Sequence, residues 1–180
     1  MSKQVPKANK KIQRISPFLW FDHQAEDAAR FYTSIFRNSK VGAVTRYGPL
    51  GPGPDGSVMT VAFELDGQKF AALNGGPHFK FTEAISFVVN CENQKEVDEF
   101  WAKLSEGGTQ VQCGWLKDKF GLSWQVVPAV LVDMLQDKDP EKSQRVMKAM
   151  LQMTKLDIAV LEMAYREGEA APRPTGPVPA

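Results

Sequence analysis

Hydrophobic and polar positions follow a pattern that occurs twice along the chain. Around Phe18 a short apolar run, PFLWF, precedes a polar break and the helical pattern AEDAARFYTSIF. From Ile85 a second run, ISFVV, precedes NCEN and QKEVDEFWAKL. A shift of 69 positions superposes the two segments, pairing Phe18 with Phe87 and Phe31-Tyr32 with Phe100-Trp101. The repeat predicts two copies of one structural unit.

Both helical segments carry apolar residues at a spacing of three and four, which is typical of a helix packed on a sheet. Asp22 is a candidate N-cap for the first helix, with acidic residues following it in the first turn. Asn93 and Glu96 resemble a capping box at the start of the second. The second helix is expected to end at Gly107-Gly108.

Three strand-like runs follow each helix, so each half is predicted to be βαβββ. Asp66-Gly67 is a hairpin turn signal in the first half, and Asp118 to Gly121 in the second. This pattern predicts an α+β fold of two tandem βαβββ modules. The predicted strands are Val41–Tyr47, Val58–Leu65, Lys69–Leu73, Thr109–Gln112, Cys113–Lys117 and Leu122–Val127.

The segments around the modules have different character. The glycine-rich loop 47–57 lacks the lysine and hydroxyl residue of a phosphate-binding loop, so it is interpreted as a mobile hairpin loop and candidate lid. Asp139-Pro140 opens a helical stretch. The predicted organisation is a basic flexible arm (1–14), two modules (15–82 and 83–128), a helical segment (129–167) and a Pro-rich disordered tail (168–180).

Composition narrows the class of partner. The chain is 43% hydrophobic and 24% charged, with a net charge of +1, which favours neither nucleic acid nor membrane partners. No run approaches the roughly 18 apolar residues of a membrane span, and no secretory signal opens the chain. The two cysteines, Cys91 and Cys113, have no metal-type spacing. We therefore expect a cytoplasmic protein with reduced thiols.

Several motifs together carry a family resemblance over about residues 15–167. They are PFLWFD, FYTSIF, TVAFELDGQKF, ALNGGPHFKF, CGWLKDKFGLSWQVVP and RVMKAMLQM. The chain resembles the vicinal oxygen chelate (VOC) superfamily, which includes glyoxalase I, bleomycin-resistance proteins and extradiol dioxygenases. It is most similar to the PhnB-like branch labelled 3-demethylubiquinone-9 3-methyltransferase-like. The resemblance implies a homodimer and a cupped mixed sheet that lines a ligand cavity.

The resemblance also marks where a metal would bind. Metal-dependent members hold a divalent ion with two histidines and a glutamate, and those positions correspond here to Ser16 or Pro17, Ser86 and Gln125. Hydroxyl and amide groups do not offset the cost of desolvating a divalent ion. The two histidines, His23 and His78, lie elsewhere with no visible pairing. We therefore expect neither a metal nor another cofactor.

Candidate ligand-binding residues follow from strand alternation and residue chemistry. If Gln125 faces the cup, Trp124 faces the helix as core. Trp20 and Trp115 could stack on a flat ligand or fill core, and Asn74 could face a cavity or cap a turn. Cys113 has no base visible beside it. The candidates are Trp20, Asn74, His78, Phe79, Ser86, Cys113, Trp115 and Gln125.

Three functions remain open at this point. The first is a homodimer that binds a small, partly apolar molecule in a metal-free cup. The second is a glyoxalase- or dioxygenase-type enzyme acting on a small oxygenated substrate. The third is the methyltransferase of the branch label, which is disfavoured because no glycine-rich S-adenosylmethionine motif is present.

Overall fold

A computed structural model describes residues 13–167 and divides the chain into two compact units, Met1–Lys80 and Phe81–Ala180. Each unit contains one four-stranded mixed sheet with a helix after its first strand. The predicted α+β fold of two βαβββ repeats followed by C-terminal helices is confirmed. Residues 1–12 of the predicted basic arm and the whole Pro-rich tail lie outside the described part of the chain.

The first unit is built from β1 (Phe18–Phe21), α1 (Ala25–Ile35), β2 (Lys40–Arg46), β3 (Val58–Leu65) and β4 (Gln68–Asn74). Its sheet order is β1-β4-β3-β2, with β1 parallel to β4 and the other pairs antiparallel. The core lies between α1 and the sheet. It includes Ala28, Tyr32, Val61 and Ala72, each with no exposed surface.

The second unit begins with the same topology. Its elements are β5 (Ser86–Cys91), α2 (Gln94–Leu104), β6 (Thr109–Gln110), β7 (Trp115–Lys117) and β8 (Ser123–Pro128). The sheet order is β5-β8-β7-β6, with β5 parallel to β8. One face packs against α2 through buried residues that include Val89, Trp101, Leu104, Trp124 and Val126.

The shift of 69 positions superposes α1 on α2 as predicted, but it leaves β1 out of register with β5 by one residue. Phe18 is 60% exposed, whereas Phe87 is half-buried and its ring lies 5.5 Å from that of Trp124. The buried equivalents are instead Phe21 and Cys91, which are 70 positions apart. Residues 22–24 precede α1, while only residues 92–93 precede α2. This single extra residue turns the paired strand positions to opposite faces.

The cap predictions for the two helices had different outcomes. The Asp22 cap prediction is wrong, because Gln24 occupies the N-cap position without a side-chain hydrogen bond. The Asn93 prediction is confirmed, because its Oδ1 accepts a hydrogen bond from the Glu96 amide at 3.1 Å. The first helix is capped by a side chain from β4, described below.

The C-terminal segment folds onto the second unit as α3 (Ala129–Leu135), α4 (Pro140–Met150) and α5 (Ile158–Arg166). As predicted, Asp139 opens α4, and its Oδ1 accepts a hydrogen bond from the Glu141 amide at 2.9 Å. The helices share a buried apolar cluster of Leu131, Met134, Val146, Leu156 and Leu161.

Residues 151–157, here the C-terminal strap, join α4 to α5 and bond to the sheet. The amides of Cys113 and Gly114 donate to carbonyls of the strap, each at 2.8 Å. Both residues have positive φ, 60° and 79°, so the predicted strand Cys113–Lys117 is wrong at its start and begins at Trp115. Gln94 of α2 also holds the strap region, donating to the Leu156 carbonyl at 3.2 Å and accepting from the Ile158 amide at 2.8 Å.

Candidate functional site

The structure divides the predicted site residues between the two units. The first unit contains Trp20, Asn74, His78 and Phe79. The second contains Ser86, Cys113, Trp115 and Gln125. Each group is therefore described within its own unit.

The second sheet has a polar group at the centre of the face that points away from α2. This face, called the open face, carries Ser86, Val88, Trp115, Ser123 and Gln125. Gln125 lies opposite Val88 on one side and Trp115 on the other. Its Nε2 donates a hydrogen bond to Ser86 Oγ at 2.8 Å. Val88 is 49% exposed, so an apolar contact surface lies beside this neutral pair.

The orientation of Gln125 depends on a buried carboxylate, Asp118, for which the sequence predicted only a place in the hairpin turn. Asp118 is 3% exposed. Its Oδ1 accepts hydrogen bonds from the amides of Phe120 at 2.8 Å and Leu122 at 3.1 Å, and its Oδ2 accepts from Trp124 Nε1 at 2.8 Å. Because Trp124 is fixed toward α2, alternation holds its neighbour Gln125 on the open face. The sequence does contain a signal for this contact, namely an aspartate that opens a D-x-x-G turn and a tryptophan six positions later.

The other two candidates of this unit differ in environment. Trp115 is half-buried, so part of its ring remains available beside Gln125. Cys113 has a left-handed backbone and a half-buried thiol, and its amide is bound to the strap. Both histidines of the sequence belong to the first unit, so Cys113 has no histidine base within its own unit.

Asn74 connects three elements of the first unit. Its Oδ1 accepts a hydrogen bond from the Ala25 amide at 2.8 Å and so caps α1. Its Nδ2 donates to the Val58 carbonyl at 3.1 Å, and its own carbonyl accepts from the Tyr47 hydroxyl at 2.6 Å. Both ends of the amide are therefore occupied by backbone groups of α1 and β3.

A cavity of about 660 Å³ lies beside Asn74, between the start of α1 and the loop 47–57. His23 and His78, for which the sequence indicated no pairing, both line it. Most of its polar groups have internal partners. Glu26 pairs with Arg30 at 2.6 Å, and Asp22 lies 3.4 Å from His23. The remaining lining includes Asp27, Tyr47, Pro52, Gly53, Pro54, Ser57, Val58, Gly75, Gly76 and Pro77.

Trp20 packs against two glycines that line this cavity, Gly75 and Gly76. Its Nε1 donates to the Gly76 carbonyl at 2.8 Å, and its ring meets that of Phe79 edge to face at a centroid distance of 4.9 Å. A Cβ on Gly75 would lie 2.2 Å from the indole, so only glycine fits there. Phe79 itself is 65% exposed.

Charged groups lie at the margin of the open face rather than at its centre. Glu83 forms an ion pair with Lys117, and the hydrogen bond from Lys117 lowers the pKa of the Glu83 carboxyl. On the opposite face, burial raises the pKa of the Cys91 thiol to about 12, with a further contribution from Glu96. The thiol of Cys91 is therefore neutral at physiological pH.

The donor set does not fit a catalytic divalent ion. Within residues 13–167, no three histidine, cysteine, aspartate or glutamate side chains are arranged to hold a metal ion. At the centre of the open face, the polar groups that pair with one another are an amide and a hydroxyl. Neutral groups of this kind do not offset the desolvation of a divalent cation.

The comparisons with known proteins identify relatives of the chain. A family model described as 3-demethylubiquinone-9 3-methyltransferase matches residues 13–127. A PhnB protein from Bacillus cereus is 38% identical, and the match covers 65% of this chain and 100% of that one with a TM-score of 0.60. No curated protein matches the chain.

Two more distant solved structures show the fold alone. A Pseudomonas aeruginosa protein is 20% identical, with 65% of this chain and 98% of that chain covered and a TM-score of 0.54. A genomically encoded fosfomycin resistance protein from Listeria monocytogenes is 14% identical, with 71% and 100% covered and a TM-score of 0.50. No helix in residues 13–167 is both long and apolar enough to cross a bilayer.

Proposed function

The chain belongs to the 3-demethylubiquinone-9 3-methyltransferase family, and from that premise we propose that it binds a small, partly apolar molecule on the open face of its second sheet. The observation that supports this function most directly is the 2.8 Å hydrogen bond between Gln125 and Ser86. It places neutral polar groups between the half-buried ring of Trp115 and the exposed side chain of Val88. Ligand sites commonly combine apolar walls with a few polar groups in this way.

The open face is favoured over the cavity of the first unit because its polar groups are less committed. In the cavity, both ends of the Asn74 amide, the Tyr47 hydroxyl and Glu26 already have protein partners. Gln125 makes a single side-chain hydrogen bond with the described residues, which leaves its Oε1 for a ligand. A ligand that exchanges one neutral hydrogen bond gives up less than a ligand that must replace the several bonds of Asn74 and Tyr47.

The proposed site uses no metal, since Gln125 and Ser86 are neutral. The alternative of a glyoxalase- or dioxygenase-type enzyme requires a divalent ion that polarises an oxygenated substrate. Elemental analysis of the purified protein, with thermal-shift titrations of Ni²⁺, Mn²⁺ and Zn²⁺, separates the two. A stoichiometric ion together with a large stabilisation would favour the enzyme.

Methyl transfer receives little support from the chain despite the family description. In the described part of the chain, each sheet contains one parallel pair, β1 with β4 and β5 with β8. A dinucleotide-type fold for S-adenosylmethionine would instead use a run of parallel strands with a glycine-rich turn. Isothermal titration with S-adenosylmethionine is expected to show no binding, and micromolar binding would revive the methyltransferase hypothesis.

We further propose that the protein is a cytoplasmic homodimer. Exposed apolar side chains support self-association, among them Phe18, Phe79 and Ile85 at 60%, 65% and 71% exposure. The two cysteines are free, which agrees with a reducing compartment. Sedimentation velocity across a concentration series tests the dimer, and a monomer at all concentrations would contradict it.

The binding function is tested with a thermal-shift screen of quinones and glycopeptides, followed by titration of each hit. Gln125→Ala should weaken a hit by roughly three- to tenfold, because one hydrogen bond is lost. Gln110→Ala is the matched control, since this exposed glutamine of the same sheet bonds to Ser105 at 3.2 Å. If every hit binds Gln125→Ala and Gln110→Ala equally well, the open face is not the binding site.

A further inference from the structure

Within residues 13–167, Ser123 Oγ is the one buried side-chain polar atom that lacks a hydrogen-bond partner. The residue is 1% exposed, and its Oγ is unpaired. It lies on the open face, because it alternates with Trp124 and shares its side of β8 with Gln125. An unpaired buried hydroxyl is unfavourable for folding, and such groups are rare in folded proteins.

The residues around Ser123 show how it is enclosed. Ser86 lies opposite it in β5, and Lys117 lies opposite it in β7. The Gln125 amide reaches diagonally from two positions along β8 to Ser86, so the Gln125–Ser86 bond passes beside Ser123. On the other side, Lys117 extends to Glu83, and both of these side chains are exposed at 37% and 61%.

The Gln125–Ser86 pair can open at low cost, because a single neutral hydrogen bond is readily exchanged for a ligand contact. Opening the Gln125–Ser86 pair would bring three neutral donors together, namely the hydroxyls of Ser86 and Ser123 and the amide of Gln125. The neighbouring cation, Lys117, is already neutralised by Glu83.

Resting on the function proposed above, we infer that Ser123 is a ligand-binding residue and that the ligand is a flat, neutral compound bearing a carbonyl oxygen. A carbonyl oxygen has two lone pairs and no proton, so it accepts hydrogen bonds from neutral donors without requiring a cation. The half-buried ring of Trp115, opposite Gln125, supplies the surface on which a flat ligand stacks. A carboxylate or phosphate would lack a free positive partner at this position.

The experiment uses 1-indanone and indane, two flat probes that differ by one carbonyl oxygen. Binding is followed by ¹H–¹⁵N NMR at the Gln125 side-chain amide and the Trp115 indole, with both signals assigned from Gln125→Ala and Trp115→Phe spectra. We expect 1-indanone to shift both signals and to bind several-fold more tightly than indane.

Ser123→Ala gives the decisive comparison because its two expected effects have opposite signs. Removing the unpaired hydroxyl should raise the melting temperature by roughly 2–4 °C, while 1-indanone binding weakens by about threefold and indane binding is unchanged. Ser123→Cys, which has a somewhat larger side chain but retains a weak donor, should bind 1-indanone with intermediate affinity. Ser105→Ala, in the same unit, is the control and should leave binding unchanged.

Two results would overturn the inference in different ways. If Ser123→Ala leaves 1-indanone binding unchanged, or weakens both probes equally, the assignment of Ser123 is wrong while binding at the open face stands. If neither probe shifts the Gln125 or Trp115 signals of the unmodified protein, the proposed binding function itself is wrong for compounds of this class.

Discussion

Replacing Asp118 with alanine tests whether one carboxylate organises the hairpin between β7 and β8. Of the three donors described above, the Leu122 amide and Trp124 Nε1 are buried, while the Phe120 amide is only partly buried. An unpaired buried donor costs about 1–3 kcal/mol, so losing two of them should reduce the free energy of unfolding by about 4 kcal/mol. We expect the second unit to lose that much stability in urea denaturation followed by circular dichroism.

A double-mutant cycle isolates the bond between Asp118 and Trp124. Asp118→Asn retains an acceptor for the turn amides but can turn an N–H group toward the indole, which should cost about 2 kcal/mol. Trp124→Phe removes the indole donor, so the double mutant should show a coupling energy of about 2 kcal/mol. Asp133→Ala, an exposed aspartate of α3, is the control and should change stability by less than about 0.5 kcal/mol. A loss below about 1 kcal/mol for Asp118→Ala, or zero coupling, would refute the reasoning.

Four further predictions concern the first unit and the thiols. Asn74→Ala should lower the free energy of unfolding by about 2–3 kcal/mol in urea denaturation, because the first amide of α1 and a carbonyl of β3 lose their partner. Asn74→Asp should lower it by less, because the carboxylate still caps α1. Gly75→Ala should displace the Trp20 indole and shift its fluorescence emission, and an unchanged spectrum would contradict the close contact. In native protein at pH 8, iodoacetamide should label Cys113 but spare Cys91, as read by mass spectrometry, whereas denatured protein should be labelled at both. Because burial raises the Cys91 pKa to about 12, its contribution to stability is full below the ordinary thiol pKa and is lost as pH rises toward 12, so thermal stability should fall more over that range than it does in Cys91→Ala.

Local signals in the sequence were sufficient to predict the helices and most of the strands. Helix α2 spans Gln94–Leu104, the segment that the apolar spacing predicted, although it ends before the expected stop at Gly107-Gly108. The Asn93 cap is a contact between residues three apart. Strand β3 likewise matches its predicted range, Val58–Leu65. These elements depend on periodicity and on contacts within a few positions, which a single sequence displays directly.

The contacts that were missed connect residues distant in sequence. The α1 cap comes from Asn74, 49 positions after Ala25, and nothing near Gln24 announces it. The amides of Cys113 and Gly114 bond to a strap about 40 positions later, so a run that looked like strand is a turn. The Gln125–Ser86 pair could be expected from strand alternation and the family pattern, but the buried hydroxyl of Ser123 appears only once register and burial are known.

The C-terminal strap has a consequence for synthesis on the ribosome. Gln94 bonds to residues 62 and 64 positions later in the chain, and Leu156 and Leu161 are fully buried in the second unit. All strands of the first sheet have been synthesised by residue 74. The second sheet, by contrast, lacks the partners of the Cys113 and Gly114 amides and of the Gln94 side chain until residues 151–161 emerge. During that interval a nascent chain exposes apolar surface, so chaperone binding and proteolysis of stalled chains should concentrate in the second unit.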